Sequence, residues 1–299
     1  VENLKMSYDK GRVKALKGVT FDVEEGEIFG LIGPDGAGKT SLFRILTTLL
    51  LADSGKAVVD GMDVVNDYKK IRQHIGYMPG RFSLYQDLTV EENLSFFATV
   101  FNTTIEENYH LVEDIYRQIE PFKKRKAGKL SGGMKQKLAL SCALIHAPHV
   151  LFLDEPTTGV DPVSRKEFWE MLQKLKKNFK LSIVVSTPYM DEALQCDRIA
   201  LIQDGQFLTI DTPENIIRTY TQTLWSLRSD KMHKLLTDLR GIDGVKTAFA
   251  FGENHHATID TSVLTVDSLR NRLVSLGHRN IVIEVVEPTI EDCFMNLQK

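Results

Sequence analysis

Short, unbroken runs of apolar residues alternate with helical patterns over about the first 220 residues of the chain. Residues 27–32, 150–153 and 181–186 form such runs, which are typical of strands buried on both faces of a parallel sheet. Residues 42–51 and 163–177 instead carry apolar side chains at helical spacing. This alternation of strands and helices predicts an α/β fold.

The pattern changes in two places. Residues 90–147 contain helical patterns at 91–101, 106–119 and 134–146 without a strand between them, which predicts a helical subdomain. After Pro213 the predicted elements follow the order β-α-β-β-α-β, which is the ferredoxin-like pattern. We therefore expect a first domain in residues 1–220, with the helical subdomain inside it, and a small C-terminal α+β domain in residues 221–299.

Composition and charge narrow the functional classes. The chain has 299 residues and a net charge of −3, which gives no electrostatic case for nucleic-acid binding. The basic run at 123–126 could contact a membrane or a partner, although a solvated face is the simpler interpretation. Three cysteines without metal-ligand spacing suit a reducing cytosol, and His255, His256 and His278 are interpreted as surface residues. No apolar run is long enough to span a membrane, so any span must lie elsewhere.

A glycine-rich segment follows the first apolar run and fits G-x-x-x-x-G-K-[ST] in full. Its glycines allow successive backbone N–H groups to point at phosphates, and the following helix adds its positive end. We expect the ammonium group of Lys39 to reach the β- and γ-phosphates of ATP and the Thr40 hydroxyl to bind Mg²⁺. The predicted ATP-binding residues of this phosphate loop are Gly33, Pro34, Asp35, Gly36, Ala37, Gly38, Lys39, Thr40 and Ser41.

Two carboxylates end the second apolar run. Ligands of open α/β sheets lie at the carboxyl ends of the strands, where Asp154 and Glu155 are placed. Asp154 is expected to hold Mg²⁺ through water, and Glu155 to orient or deprotonate the attacking water. The alternative is that Asp154 only caps a helix.

The segment Leu130-Ser131-Gly132-Gly133-Met134-Lys135-Gln136 resembles the signature sequence of ATP-binding-cassette (ABC) proteins. The resemblance implies a P-loop NTPase cassette whose Ser131, Gly132 and Gly133 act on the γ-phosphate in a second cassette. It also implies that Tyr8 stacks on adenine, with a packing role as the alternative, and that Asp161 lies in the loop linking the two nucleotide sites.

The partners implied by the resemblance are a second cassette, in a homodimer, a tandem or a heteromeric pair, and an integral membrane permease. Residues 221–299 are similar to the C-terminal domain of drug- and sodium-export cassettes. The chain is therefore expected to be the ATPase subunit of an ABC exporter at the cytoplasmic face of the membrane, or the first half of a tandem-cassette protein. A soluble ABC protein of translation or DNA repair is disfavoured, because no basic linker or long coiled-coil insertion is present.

Three positions depart from the family pattern. Gly80 stands where the family usually has a glutamine that contacts Mg²⁺ and the attacking water, and Pro188 where it usually has a histidine that contacts the γ-phosphate. Asp35 replaces the usual asparagine and puts a carboxylate near the phosphates. Gln86 or water could substitute for the missing groups. The alternative is a cassette that holds ATP, turns it over slowly and completes the site of a standard partner.

Overall fold

The computed structural model describes residues 1–298, which fall into a first unit, Val1–Pro213, and a second unit that begins at Glu214. The boundary lies a few residues before the one expected near residue 220. The reason is that the helix Pro213–Arg218 packs within the second unit, where the Ile216 carbonyl accepts a hydrogen bond from the Cys293 thiol at 3.6 Å.

The first unit contains eleven strands and six α-helices among the described residues. In chain order they are β1 (Glu2–Tyr8), β2 (Val13–Val19), β3 (Ile28–Ile32), α1 (Lys39–Leu46), β4 (Ser54–Lys56), β5 (Val58–Val59), β6 (Met62–Asp63), α2 (Tyr68–His74), β7 (Ile75–Met78), α3 (Val90–Val100), α4 (Ile105–Tyr116), α5 (Gly132–Leu144), β8 (Val150–Asp154), α6 (Pro162–Phe179), β9 (Ser182–Thr187), β10 (Arg198–Gln203) and β11 (Gln206–Asp211).

The unbroken apolar runs form the centre of a six-stranded sheet with the order β11-β10-β3-β9-β8-β7. All neighbouring strands are parallel except β10 and β11. Every residue of β3 and β9 is buried, as expected for strands covered on both faces. Because β9 lies between β3 and β8, the carboxyl ends of these three strands meet at one edge of the sheet.

The helix after β3 differs from its prediction at both ends. Helix α1 begins at Lys39, inside the glycine-rich motif, and ends at Leu46. Thr48 adopts a left-handed backbone with φ 63°, and the N–H groups of Leu49 and Leu50 both donate to the Arg44 carbonyl. This tight C-terminal turn ends the helix although the apolar pattern continues.

The helical subdomain consists of α3, α4 and α5. Helices α3 and α4 each begin with a capping box, formed by Thr89 with Glu92 and by Thr104 with Glu107. Their buried side chains pack against α5, whose Leu138 and Leu140 are fully buried. No described strand lies between these helices, in agreement with the apolar pattern.

The second unit contains the helix α7 (Pro213–Arg218) followed by a four-stranded antiparallel sheet. Its strands are β12 (Thr223–Arg228), β13 (Val245–Phe251), β14 (Asn254–Ile259) and β15 (Val282–Val285), in the order β13-β14-β12-β15. Its core includes Trp225, Leu235 and Leu269. The remaining helices are α8 (Met232–Arg240), α9 (Val266–Ser275) and α10 (Ile290–Leu297).

The interpretation of three histidines as surface residues is wrong. His255, His256 and His278 are all buried. Each has a polar partner: Nε2 of His255 lies 2.7 Å from the Met232 carbonyl, Nδ1 of His256 lies 2.8 Å from Asp292, and Nε2 of His278 lies 2.8 Å from Asp238. A strand face or a helix end can bury a histidine when such a partner is supplied from elsewhere in the chain.

All three cysteines are free and buried. No helix within residues 1–298 is both long enough and apolar enough to cross a membrane.

Candidate functional site

The phosphate loop is shaped by glycines that cannot be replaced without backbone strain. Gly38 has φ 106° and Gly36 has φ 80°, in the left-handed region that glycine tolerates best. A Cβ atom at Gly38 would lie 2.3 Å from the Ala15 carbonyl, whereas one at Gly36 would meet nothing within 4 Å. Gly36 therefore leaves the open side of the loop clear for an approaching group.

Lys39 is the first residue of α1 and is buried. Its ammonium group donates to the carbonyls of Gly33 at 2.8 Å and Pro34 at 3.0 Å, and lies 3.3 Å from a carboxylate oxygen of Glu155. Asp35 lies 4.0 Å away from the same ammonium group. A buried cation facing a loop of backbone donors at a helix N-terminus is suited to binding phosphate.

Asp154 and Glu155 end β8 beside this loop. The buried Asp154 carboxylate accepts a hydrogen bond from Ser186 at 2.6 Å, and the same hydroxyl accepts from the Glu155 N–H at 3.1 Å. Burial and then the charge of Asp154 raise the pKa of Tyr77 to about 12. Glu155 itself has φ 50°, a left-handed conformation that is strained for a side chain with Cβ. This kink directs the chain away from the sheet directly after the carboxylate pair.

An open cleft of about 450 Å³ adjoins the phosphate loop and Glu155. The hydroxyls of Tyr8 and Ser41 lie 3.0 Å apart at its rim, which places the exposed Tyr8 ring next to the phosphate loop. The Thr40 hydroxyl and the Asp154 carboxylate are hard oxygen donors of the kind that Mg²⁺ prefers. The cleft is lined by predicted site residues, namely Tyr8, Gly36, Gly38, Lys39, Thr40, Ser41 and Glu155, together with Val13, Lys14, Ala15, Lys17 and Asp204.

Two of the three departures from the family pattern, Gly80 and Pro188, follow strands of the central sheet, and Gly80 lies close to the carboxylates. A Cβ atom at Gly80 would be 3.0 Å from the Asp154 carbonyl and 3.7 Å from Cβ of Glu155. Pro188 directly follows Thr187, which pairs with Ile32 before the phosphate loop. Gln86, considered as a substitute, instead packs against Gly128, whose N–H donates to the Gln86 carbonyl at 2.9 Å.

The signature residues lie away from this cleft. Ser131 caps α5, and its hydroxyl accepts a hydrogen bond from the Met134 N–H at 3.4 Å. Gly133 packs against Ser164, while Asp161 caps α6 by accepting from the Ser164 N–H at 3.0 Å. The structure thus brings the signature next to the predicted site-linking loop, but neither lines the cleft around Lys39.

A buried carboxylate that was not predicted from the sequence, Glu192, lies beside the strand ends of the site. One oxygen of Glu192 accepts a hydrogen bond from Thr157 at 2.7 Å and another from Arg165 at 3.1 Å; its second oxygen accepts from Thr187 at 2.6 Å. Glu192 therefore ties the loop after Glu155 to the end of β9. An acidic residue in a short 3₁₀ segment carries no sequence signal for this role.

The chain is similar in sequence and in fold to known proteins. A family model described as ABC transporter matches residues 16–158. The probable multidrug ABC transporter ATP-binding protein YbhF of Escherichia coli (strain K12) is 42% identical over 221 residues, which cover 72% of this chain and 38% of YbhF. The linearmycin resistance ATP-binding protein LnrL of Bacillus subtilis (strain 168) is 31% identical over 310 residues, which cover 99% of this chain and 96% of LnrL.

Among solved structures, a dimeric, post-hydrolysis state of the ATP-binding cassette MJ0796 bound to ADP and Pi is similar with a TM-score of 0.64. It is 26% identical, and the match covers 71% of this chain and 97% of that chain. This similarity confirms the α/β P-loop cassette fold that was predicted for the first domain. Since the chain also matches LnrL over nearly the full length of both proteins, it belongs to the ABC transporter family of ATP-binding proteins, as its signature sequence predicted.

Proposed function

We propose that this chain is the ATP-binding and ATP-hydrolysing subunit of an ABC exporter, in which ATP-driven closure of two cassettes moves a separate membrane permease. The observation that carries the proposal is the meeting of Lys39 and Glu155, 3.3 Å apart, over the phosphate loop. A phosphate-binding cation and a carboxylate able to act on water then face the same space.

Each site residue has a role in this proposal. Backbone N–H groups of the phosphate loop after Pro34 and the Lys39 ammonium bind the phosphates, and the Tyr8 ring stacks on the adenine. Thr40 and Asp154 hold Mg²⁺, which neutralises charge on the phosphate oxygens when it is bound. Glu155 exchanges its ion pair with Lys39 for a hydrogen bond to the attacking water, because the incoming phosphates compete for the ammonium group.

A second cassette is needed to complete this site. Ser131 and Gly132 are exposed at the N-terminus of α5, away from their own cleft, and are therefore available to a nucleotide held by another chain. The dimeric state of the similar cassette MJ0796 supports this arrangement. Asp161, beside the signature, then lies where two sites would be linked.

A permease partner is supported by an apolar groove of about 420 Å³ that adjoins Gly80 within the first unit. Leu49 and Val100 at its edge are each more than half exposed. The names of YbhF, a probable multidrug transporter protein, and LnrL, a linearmycin resistance protein, support drugs as the transported class. A chain with this role would act at the cytoplasmic face of the membrane. Other apolar residues lining the groove are Tyr77, Met78, Pro79, Phe82, Leu84, Phe97 and Phe101.

Binding of a permease to this groove can be tested by purifying the tagged chain from membranes of its own host in mild detergent. We expect a polytopic membrane protein to co-purify with wild type and to be lost from Leu49→Glu. Leu51→Glu is the matched control, because Leu51 is 68% exposed but does not line the groove. Equal recovery of the membrane protein with both variants would argue against this groove, and its absence from wild type against the exporter role.

A second candidate function is favoured by Gly80 and Pro188, neither of which supplies a polar side chain beside Asp154 and Glu155. In this alternative the chain is a degenerate half that binds ATP and completes the site of a standard partner cassette. Loss of one positioned polar group from a reaction centre costs about 10²–10³ in rate, so hydrolysis in this site would be slow.

Hydrolysis of Mg-ATP by the isolated chain decides between the two candidates. Wild type, Glu155→Gln and Lys39→Ala are compared by phosphate release, with ATP binding measured in parallel. The hydrolytic subunit is supported if wild type turns over and Glu155→Gln does not. If both bind ATP and are equally inactive while Lys39→Ala loses binding, the degenerate half is the correct description.

A further inference from the structure

Three potential metal ligands meet at the edge of the central sheet opposite the nucleotide site. They are Asp60, in the turn between β5 and β6; His74, the last residue of α2; and His149, which directly precedes β8. Nδ1 of His74 and Nδ1 of His149 each lie 2.9 Å from the same carboxylate oxygen of Asp60. Within residues 1–298 this is the one group of three such side chains whose ligand atoms all lie within 4.8 Å of one another.

Backbone contacts hold the three residues in this arrangement. Asp60 and Gly61 form a two-residue hairpin turn with φ 51° and φ 73°, values typical of a type I′ turn. The His149 N–H donates to the His74 carbonyl at 2.8 Å, which fixes the spacing of the two histidines. Their rings are 4.9 Å apart in an edge-to-face arrangement. The cluster is therefore assembled by three rigid segments rather than by one flexible loop.

We propose that Asp60, His74 and His149 form a binding site for a Zn²⁺-class ion, with water as the fourth ligand. Two imidazole nitrogens and one carboxylate oxygen are a donor set that Zn²⁺ uses in proteins. Tetrahedral bonds of about 2.0–2.1 Å place neighbouring donor atoms about 3.3 Å apart. Each histidine nitrogen lies 2.9 Å from the Asp60 oxygen, a few tenths of an ångström below that value, and the two nitrogens lie within 4.8 Å of each other.

The surroundings of the cluster favour a cation. A cleft of about 730 Å³ adjoins Asp60 and His149, and its other charged residues are three carboxylates and one cation, namely Asp22, Glu24, Glu25 and Lys180. The side chain of His149 is 62% exposed and that of His74 41%, which leaves room for a water ligand.

The site differs in chemistry from the predicted Mg²⁺ site at Thr40 and Asp154. Imidazole nitrogens suit Zn²⁺, Cu²⁺ and Ni²⁺, whereas Mg²⁺ takes oxygen ligands and retains most of its water. Bound Zn²⁺ would join the β5–β6 turn to the amino ends of β7 and β8. It would therefore stabilise the folded first unit without touching the nucleotide.

The test is a titration of the full, nucleotide-free chain with Co²⁺, monitored by visible absorption. Zn²⁺ is then added to displace the bound Co²⁺. We expect one equivalent of Co²⁺ in a tetrahedral nitrogen and oxygen environment. His149→Ala and Asp60→Asn should weaken binding at least about tenfold, since ligand losses exceed the 10–100-fold effects of outer-shell changes. His110→Ala and His233→Ala remove exposed histidines outside the cluster and should bind like wild type.

Folding and specificity are checked on the same samples. ATP binding and circular dichroism establish that each variant is folded, and X-ray absorption of the Zn²⁺-loaded wild type counts imidazole ligands without any substitution. Two imidazoles per Zn²⁺ support the site. The proposal is overturned if wild type shows no saturable Co²⁺ or Zn²⁺ binding, if His149→Ala binds as well as wild type, or if the absorption spectrum indicates thiolate ligation.

Discussion

At the scale of single residues, glycines in the phosphate loop meet two separate requirements, a positive φ and the close approach of another backbone segment. Gly36 and Gly38 both have positive φ, but only Gly38 lies against backbone, with 2.3 Å between its ideal Cβ position and the Ala15 carbonyl. Backbone strain and steric contact can therefore be tested separately within one loop.

We expect Gly38→Ala to lower the free energy of unfolding of the first unit by about 3 kcal/mol, because strain and a clash each cost about 1–3 kcal/mol. Gly36→Ala should cost about 1–2 kcal/mol, the strain alone. Urea unfolding followed by Trp169 fluorescence in a Trp225→Phe background measures both, since the two tryptophans lie in different units. Equal losses in the two variants would contradict the steric argument.

A second prediction at the scale of residues concerns Gly80 and Pro188, and it rests on the proposed function. Gly80 has no positive φ, and an added Cβ would lie 3.7 Å from Cβ of Glu155, so a longer side chain starts beside the reaction centre. The same Cβ would lie 3.0 Å from the Asp154 carbonyl, so the backbone must shift by a few tenths of an ångström, equally in every Gly80 variant. We expect Gly80→Gln with Pro188→His to raise ATP turnover at least about tenfold, a conservative share of the 10²–10³ that one positioned polar group provides.

Phosphate release by the purified chain, alone and with Glu155→Gln added, is the measurement. Gly80→Ala is the control, because it adds Cβ without a polar group. A double variant that binds ATP but hydrolyses it no faster than wild type would show that the missing side chains do not limit turnover.

At the scale of elements, β14 and α10 are joined by a buried hydrogen-bonded pair, His256 and Asp292. Burial of Asp292 opposes its charge, but hydrogen bonds from His256 and from Thr289 outweigh burial and lower its pKa below the ordinary 3.8. Because the folded-state pKa is the lower one, the pair stabilises the second unit fully above pH about 4 and less as the pH falls through the folded-state value.

Asp292→Asn should therefore be less stable than wild type at neutral pH, and the difference in urea midpoint should shrink between about pH 5 and about pH 3. Trp225 fluorescence in a Trp169→Phe background reports on the second unit alone. A difference that stays constant over this range would mean that the Asp292 charge contributes nothing to folding.

The local apolar pattern predicted the bounds of the central strands but not the end of the first helix. The apolar runs predicted β3, β8 and β9 to within a residue or two, because strands buried on both faces need continuous apolar sequence. The end of α1 was not predictable, since the turn at Thr48 interrupts an apolar pattern that continues to Leu51. Where a helix stops depended on backbone hydrogen bonds to Arg44, which periodicity does not record.

At the scale of the whole molecule, the exposed signature residues predict that two copies of the chain associate when ATP is bound. With hydrolysis blocked by Glu155→Gln, Mg-ATP should convert the chain to a dimer, because each signature helix adds phosphate contacts to the partner's nucleotide. Ser131→Arg in the same background should keep the chain monomeric by filling the phosphate position with a long side chain.

Light scattering with ATP, with ADP and without nucleotide measures the mass in each state. A monomer of Glu155→Gln with bound ATP would contradict homodimerisation and favour pairing with a different cassette. If the Ser131→Arg variant dimerised equally well, the contact would not involve the signature.

The sequence by itself determined the features made by consecutive residues. These are the phosphate loop, the acidic end of β8, the signature at the start of α5 and the alternation that gives the α/β class, because each depends on local backbone and spacing. The sequence also identified the substitutions Gly80 and Pro188 by their place in a motif.

Only the tertiary structure decided which distant residues meet. The pairing of Lys39 with Glu155, the Glu192 network, the buried pair of His256 and Asp292 and the cluster at Asp60 all join segments that are far apart along the chain. Their contacts follow from the order and register of the strands, which long-range packing selects and short-range periodicity does not contain.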